Sequence, residues 1–135
     1  MYLDAPPLEV LIYPGGRGTR PQLTDREQLD WLNDQRQQVA IVASVCTGSL
    51  VLAAAGLLKN RPATTHWASL ELLARIDPSI DVRPNERFVG DGDVITSSGV
   101  SAGIDMALHL VRRLASEDRA RDVRKFIQYD PEPPV

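Results

Sequence analysis

The sequence predicts an α/β fold with a mainly parallel sheet and helices on both faces. Three observations lead there. Strand-type and helix-type runs alternate along the chain. The run Val10-Leu11-Ile12 is continuously apolar, as in a strand covered on both sides, and Val39 to Val45 is the best strand in the chain. Each of these runs ends in a glycine-bearing turn, Pro14-Gly15-Gly16 after the first and Cys46-Thr47-Gly48 after the second.

The elements follow in order. Val10-Leu11-Ile12 is the first strand. Thr24-Asp25-Arg26-Glu27 reads as a capping box with Thr24 as the cap. A helix to about Gln37 follows, with Leu29, Leu32 and Trp31 turned inward. Val39 to Val45 is the strongest strand and runs directly into Cys46 and the helical run Leu50 to Ala55. Gly56 stands where a helix-terminating glycine belongs. Ala63-Thr64-Thr65 is extended, and Leu70, Leu72, Leu73 and Ile76 have helical spacing up to Asp77-Pro78. Ile80 to Val82 and Arg87 to Val89 are short strands. Asp91-Gly92-Asp93 is a hairpin turn that returns as Val94 to Ser97. A helix over 101–114 is expected to bury Ile104, Leu108 and Val111, and a last helix covers 118–128.

Composition limits the function. The 135 residues (14.9 kDa) suit one domain, taken here as 1–135. At 43% hydrophobic and 24% charged, the chain is neither a disordered tail, a collagen-like repeat nor a coiled coil. The longest apolar-rich run, Val39 to Leu58, is broken by Ser44, Thr47, Gly48 and Ser49, short of the roughly 18 apolar residues of a membrane span. Fifteen basic against eighteen acidic residues give a net charge of -3 and no footprint for nucleic acid. The basic cluster from Arg112 to Lys125 is interleaved with Glu117, Asp118 and Asp122 and reads as a solvated helical face. No secretory pattern opens the chain, so a cytoplasmic location is expected. The single cysteine excludes an intrachain disulfide and a multi-cysteine zinc site.

That cysteine, Cys46, lies between a buried-type strand and a helix. A side chain in such a turn projects from the C-terminal edge of the sheet, where open α/β sheets bind ligands. The following helix N-terminus favours a thiolate, and its N–H groups suit a developing anion. This is the logic of a nucleophile elbow, with Gly48 leaving the approach unblocked. Free cysteine is also a common buried, inert residue, and the strand–helix junction is what favours the reactive reading. Gly15 and Gly16 form a turn or an anion-binding nest on the same edge. Ser97 to Gly103, with Gly99 and Val100, lines the far side or packs as a tight loop. His66 ends an extended segment and suits either packing or pairing with Cys46 as a base. His109 lies in an amphipathic helix as a structural or surface residue. Asp105, one turn into its helix, complements the dipole.

Val-Cys46-Thr-Gly-Ser, then Ala-Thr-Thr-His66-Trp67, then Thr96-Ser-Ser-Gly99-Val-Ser-Ala-Gly103-Ile-Asp105, with Pro14-Gly15-Gly16 upstream, resembles the ThiJ/PfpI superfamily over about residues 5–130. Cys-Thr-Gly, Thr-His-Trp, Ser-Ala-Gly-Ile-Asp and the ending Tyr129 to Pro134 look most like its isonitrile hydratase branch. The same motifs occur in sensor domains of AraC-type regulators. The resemblance implies a flavodoxin-like three-layer α/β sandwich, a homodimer, a small-molecule substrate and no metal or organic cofactor. It implies Cys46 as the nucleophile that forms a thioimidate with an isonitrile, which water releases as an N-substituted formamide. Thr47 and His66 join Cys46 in the catalytic set, and Gly15, Gly16, Gly48, Gly99 and Val100 line the substrate site. The non-enzymatic alternatives are a ligand or redox sensor and an inactive truncated member. The family pattern also places a further strand and helix ahead of Leu8, with an aspartate beside the cysteine. Neither Asp4 nor Glu9 matches that aspartate, so the chain is expected to be short of the family's first strand. Loss of a positioned acid or base costs about 10²–10⁴-fold in rate.

Overall fold

Three parallel strands carry the fold: β1 (Val10–Tyr13), β2 (Ile41–Ser44) and β6 (Val94–Ser97). The computed structural model describes residues 4–135. β5 (Phe88–Asp91) closes the sheet antiparallel to β6, giving the order β1-β2-β6-β5. A separate parallel pair joins β3 (Pro62–Ala63) to β4 (Asp81–Val82). All four residues of β2 and of β6 are buried, as expected of inner strands covered on both faces.

The pleat of these strands divides the core. Val42 and Val94 face one cluster, with Leu29 and Leu32 of α2 (Arg26–Arg36), Leu50 and Leu52 of α3 (Gly48–Ala54) and Leu73 of α4 (Leu70–Ile76). Ile41, Ala43 and Ile95 face the other, with Met106 and Leu110 of α5 (Ala102–Leu114). α6 (Glu117–Phe126) packs on α5 and buries none of its own residues. The mixed α/β architecture with a mainly parallel sheet is therefore as predicted. Trp31 is half-buried against the first cluster. α3 ends where Gly56 predicted, its amide donating to Ala53 O and that of Leu57 to Leu52 O.

Several expectations need correction. The cap of α2 is Asp25, one residue later than Thr24. The Asp25 amide still bonds back to Gln22 O, so the chain is turning at Thr24. Asp25 is the residue with extended backbone, and its carboxylate accepts from the Gln28 amide at 3.2 Å. α5 buries Ala102, Met106 and Leu110, four residues apart, instead of the expected stripe. Leu108 and Val111 are half-buried and Ile104 is 38% exposed, because the apolar arc of the helix is wider than its contact with the sheet. A short helix, α1 (Thr19–Gln22), went unpredicted. β2 is also shorter than the 39–45 run.

Ion pairs pin the β5–β6 hairpin to the body. Arg36 donates to Asp93 at 2.6 Å and Arg61 to Asp91 at 3.0 Å. The Arg36 hydrogen bond holds the Asp93 carboxyl below its ordinary range. A carboxyl depressed in the folded state stabilises above its unfolded value and loses that contribution as pH falls through the folded one. Asp93→Asn is therefore expected to lower the urea midpoint at pH 7. The deficit should shrink to nothing as pH drops below about 4. A deficit independent of pH would show that the charge pair is not its source.

Candidate functional site

The strand–helix junction after β2 is built by crowding. Cys46 adopts φ +55, a left-handed conformation rare for a side-chain-bearing residue and costing about 1–3 kcal/mol. Its surroundings hold it there. Val45 N–H donates to Tyr13 O at 3.0 Å, and Gly48 N–H to Val45 O at 2.9 Å. The Cys46 carbonyl accepts the Thr65 hydroxyl at 3.0 Å and the Ser49 hydroxyl at 3.3 Å.

The glycines explain themselves by distance. A Cβ on Gly48 would stand 2.3 Å from Tyr13 O and 2.9 Å from Pro14 O. A Cβ on Gly15 would stand 2.8 Å from Cys46 Cβ and 2.9 Å from Thr47 N. The bare side of Gly48 is thus filled by the β1 turn, and the residue is buried, which differs from the expected open approach for a ligand. Gly16 meets the elbow through hydrogen bonds. Its N–H donates to Thr47 Oγ1 at 2.9 Å, and its carbonyl accepts the Thr19 hydroxyl at 2.7 Å.

Cys46, half-buried, opens on a cavity of about 660 Å³ that also has Gly16, Thr47 and His66 in its walls. The remaining walls are Arg17, Arg20, Ala68 and Ser69. Arg20 donates to the Ser69 hydroxyl at 3.3 Å. No carboxylate lines the cavity among the described residues. The two arginines, Ser69, and Thr65 behind the elbow were not singled out from sequence. The one available signal was a pair of cations three residues apart just past the Gly15-Gly16 turn.

His66 stands between two hollows. Its Nδ1 accepts the Ala68 N–H at 3.2 Å, which leaves Nε2 to carry the proton in the neutral ring. Its other edge lies on Gly99, where a Cβ would come within 2.4 Å of His66 Cδ2. Gly99 and Val100 line a second hollow beyond the ring, of about 290 Å³, together with Trp67, Pro84 and Arg87. The expected single pocket is thus parted by the imidazole, and no hydrogen bond joins His66 to the thiol among the described residues. Val100 has φ +45 and is 80% exposed.

Asp105 does more than face a dipole. Its carboxylate accepts from Arg87 Nε and, at 2.5 Å, from the Tyr129 hydroxyl. Arg87 also donates to the Ser101 hydroxyl at 3.2 Å, and its carbonyl accepts the Ser98 N–H at 2.9 Å. The Asp105 carboxylate holds the Tyr129 hydroxyl above its usual range. His109 lies remote from Cys46, with its ring 4.9 Å from Phe88. Burial first, then Arg112 and Arg113, push its pKa down. Among the described residues no group of three or more His, Cys, Asp or Glu side chains could hold a metal, and no helix is long and apolar enough to cross a membrane.

Comparison with known proteins places this geometry. The DJ-1/PfpI family pattern matches residues 4–113. The chain is 46% identical over 132 residues to an isonitrile hydratase of Pseudomonas putida, covering 97% of this chain and 56% of that protein. It is 32% identical over 127 residues to the HTH-type transcriptional regulator GbdR of Pseudomonas aeruginosa, covering 94% of this chain and 34% of the regulator. The crystal structure of a ThiJ/PfpI family protein from Pseudomonas syringae superposes with a TM-score of 0.89 at 37% identity, over 99% of this chain and 55% of that one. The chain thus spans little more than half the length of the hydratase and of that structure.

Two of the crowded glycines, Gly48 and Gly99, are expected to respond differently to a methyl group. Gly48→Ala meets backbone carbonyls and should destabilise by about 2 kcal/mol or more in urea unfolding. Gly99→Ala meets a side chain that can swing. It should cost less than half as much while shifting the His66 ring resonances in NMR spectra. Equal costs, or unmoved His66 resonances, would contradict this description of the contacts.

Proposed function

The chain belongs to the DJ-1/PfpI family, and from that premise we propose that it hydrates an isonitrile to an N-substituted formamide through Cys46. The observation that carries the reading is the left-handed Cys46 at the strand–helix junction, opening on a cavity shared with Thr47 and His66. Similarity to the Pseudomonas putida isonitrile hydratase supports the choice of reaction.

In this reading the sulfur bonds to the isonitrile carbon, whose lone pair takes the thiol proton, giving an enzyme-bound thioimidate. Water then adds its oxygen to the same carbon. One of its protons goes to nitrogen and the other to the departing sulfur. The product is R–NH–CHO and the free thiol returns. Thr47, tied to Gly16, organises the elbow, and His66 presents its Nε2 proton beside the cavity. Gly15, Gly16 and Gly48 shape the elbow wall, and the Gly99-Val100 loop sets the position of the imidazole. With this reading go a homodimer, implied by the family resemblance, and the cytoplasmic location expected from the sequence.

A second reading has an observation of its own. Similarity to GbdR supports a ligand-sensing domain that uses the same cavity without turnover. An assay separates the two. Incubation with an alkyl isonitrile should yield the formamide, and Cys46→Ala should abolish it. Binding of the isonitrile with no formamide at high protein concentration would favour the sensor. A formamide yield unchanged in Cys46→Ala would overturn the role of the thiol.

A further inference from the structure

Arg17 and Arg20 both line the Cys46 cavity. Neither takes part in any ion pair among the described residues, whereas six other arginines do. The partner of Arg20 is the neutral Ser69 hydroxyl at 3.3 Å, which orients the guanidinium and leaves its charge uncompensated. Ser69 is itself buried, so that partner is fixed in place. With no carboxylate in the wall among the described residues, two exposed arginines line the cavity of a chain whose net charge is -3.

A guanidinium pair open to a pocket is suited to a planar anion, since arginine matches carboxylate geometry through paired N–H donors. The reacting centre of an isonitrile is neutral and gives such a pair nothing to hold. The charge is then directed at another part of the ligand. We propose that the Cys46 cavity selects a small electrophile that carries a carboxylate, with Arg17 and Arg20 gripping the carboxylate while the electrophilic carbon faces the sulfur. The inference rests on the reading of Cys46 as the reactive group of this cavity, and it names the class of ligand that reading leaves open.

The test does not require turnover. Cys46 is alkylated with iodoacetate and, separately, with iodoacetamide. In each reaction sulfur displaces iodide, forming the S–C bond as the C–I bond breaks. The ratio of the two rates is divided by the same ratio for glutathione. Any change in thiol ionisation affects both reagents alike, so the normalised ratio reports the charge around the reagent. It is expected to favour iodoacetate by at least about threefold, the scale of two solvent-accessible charge contacts. The preference should fall in 0.5 M salt, where the screening length drops to about 4 Å. Arg17→Gln with Arg20→Gln should return the ratio to about one, whereas Arg121→Gln, remote on α6, should leave it unchanged. A ratio near one in the unaltered protein, or a preference that survives loss of both arginines, would overturn the proposal.

A second pair of probes separates this failure from failure of the hydratase reading. Isocyanoacetate and its methyl ester are offered as substrates. Preference for isocyanoacetate, lost in the double variant, supports the inference. Hydration of both at equal rates with unselective alkylation overturns the inference and leaves the hydratase standing. Iodoacetate selectivity with neither isocyanide hydrated supports the anion cavity and removes the hydratase.

Discussion

Two backbone segments press together at the C-terminal edge of the sheet, and the candidate site depends on that contact. The turn after β1 runs so close to the junction of β2 and α3 that Gly15 and Gly48 have no room for a Cβ. The crowding leaves Cys46 between fixed neighbours in a left-handed conformation it would not adopt alone. Hydrogen bonds from Val45 to Tyr13, from Gly16 to Thr47 and from Thr65 to Cys46 offset the strain. A relaxed Cys46 would redirect its side chain and separate the sulfur from the cavity walls.

The two faces of the sheet serve this arrangement differently. The layer of α2, α3 and α4 supplies the apolar floor beneath the elbow, through Leu32, Leu50, Leu52 and Leu73. The opposite side, through α5, supplies Asp105, which ties Arg87 to Tyr129. Arg87 in turn holds both ends of the Gly99-Val100 loop, at Ser98 and Ser101. That loop abuts the His66 ring, so contacts far along the chain position the imidazole that stands between the Cys46 cavity and the second hollow.

How much of this could be read in advance follows from how local each cause is. The run from Val39 into Cys46 and the next helix was legible because one apolar-rich stretch meets one glycine-bearing turn. The glycine ending α3 and the β5–β6 hairpin were legible for the same reason. The face of α5 was not, because Met106 and Leu110 are selected over Ile104 by the position of the sheet. Nor was the cap at Asp25, which depends on the turn closing α1. Arg17 and Arg20 became site residues only when α1 packed against α3. The division of the expected pocket by His66 likewise rests on the approach of Gly99 across 33 residues of sequence, which no local pattern encodes.

The central claim is that the elbow makes Cys46 sulfur the atom that bonds to the ligand. Rapid quenching of the protein with an alkyl isonitrile, followed by intact-mass and peptide mapping, tests it directly. The account predicts a transient adduct of the isonitrile's full mass on the Cys46 peptide, decaying as formamide accumulates. Formamide accumulating with no adduct at Cys46 on the turnover timescale, or an adduct confined to another residue, would contradict it.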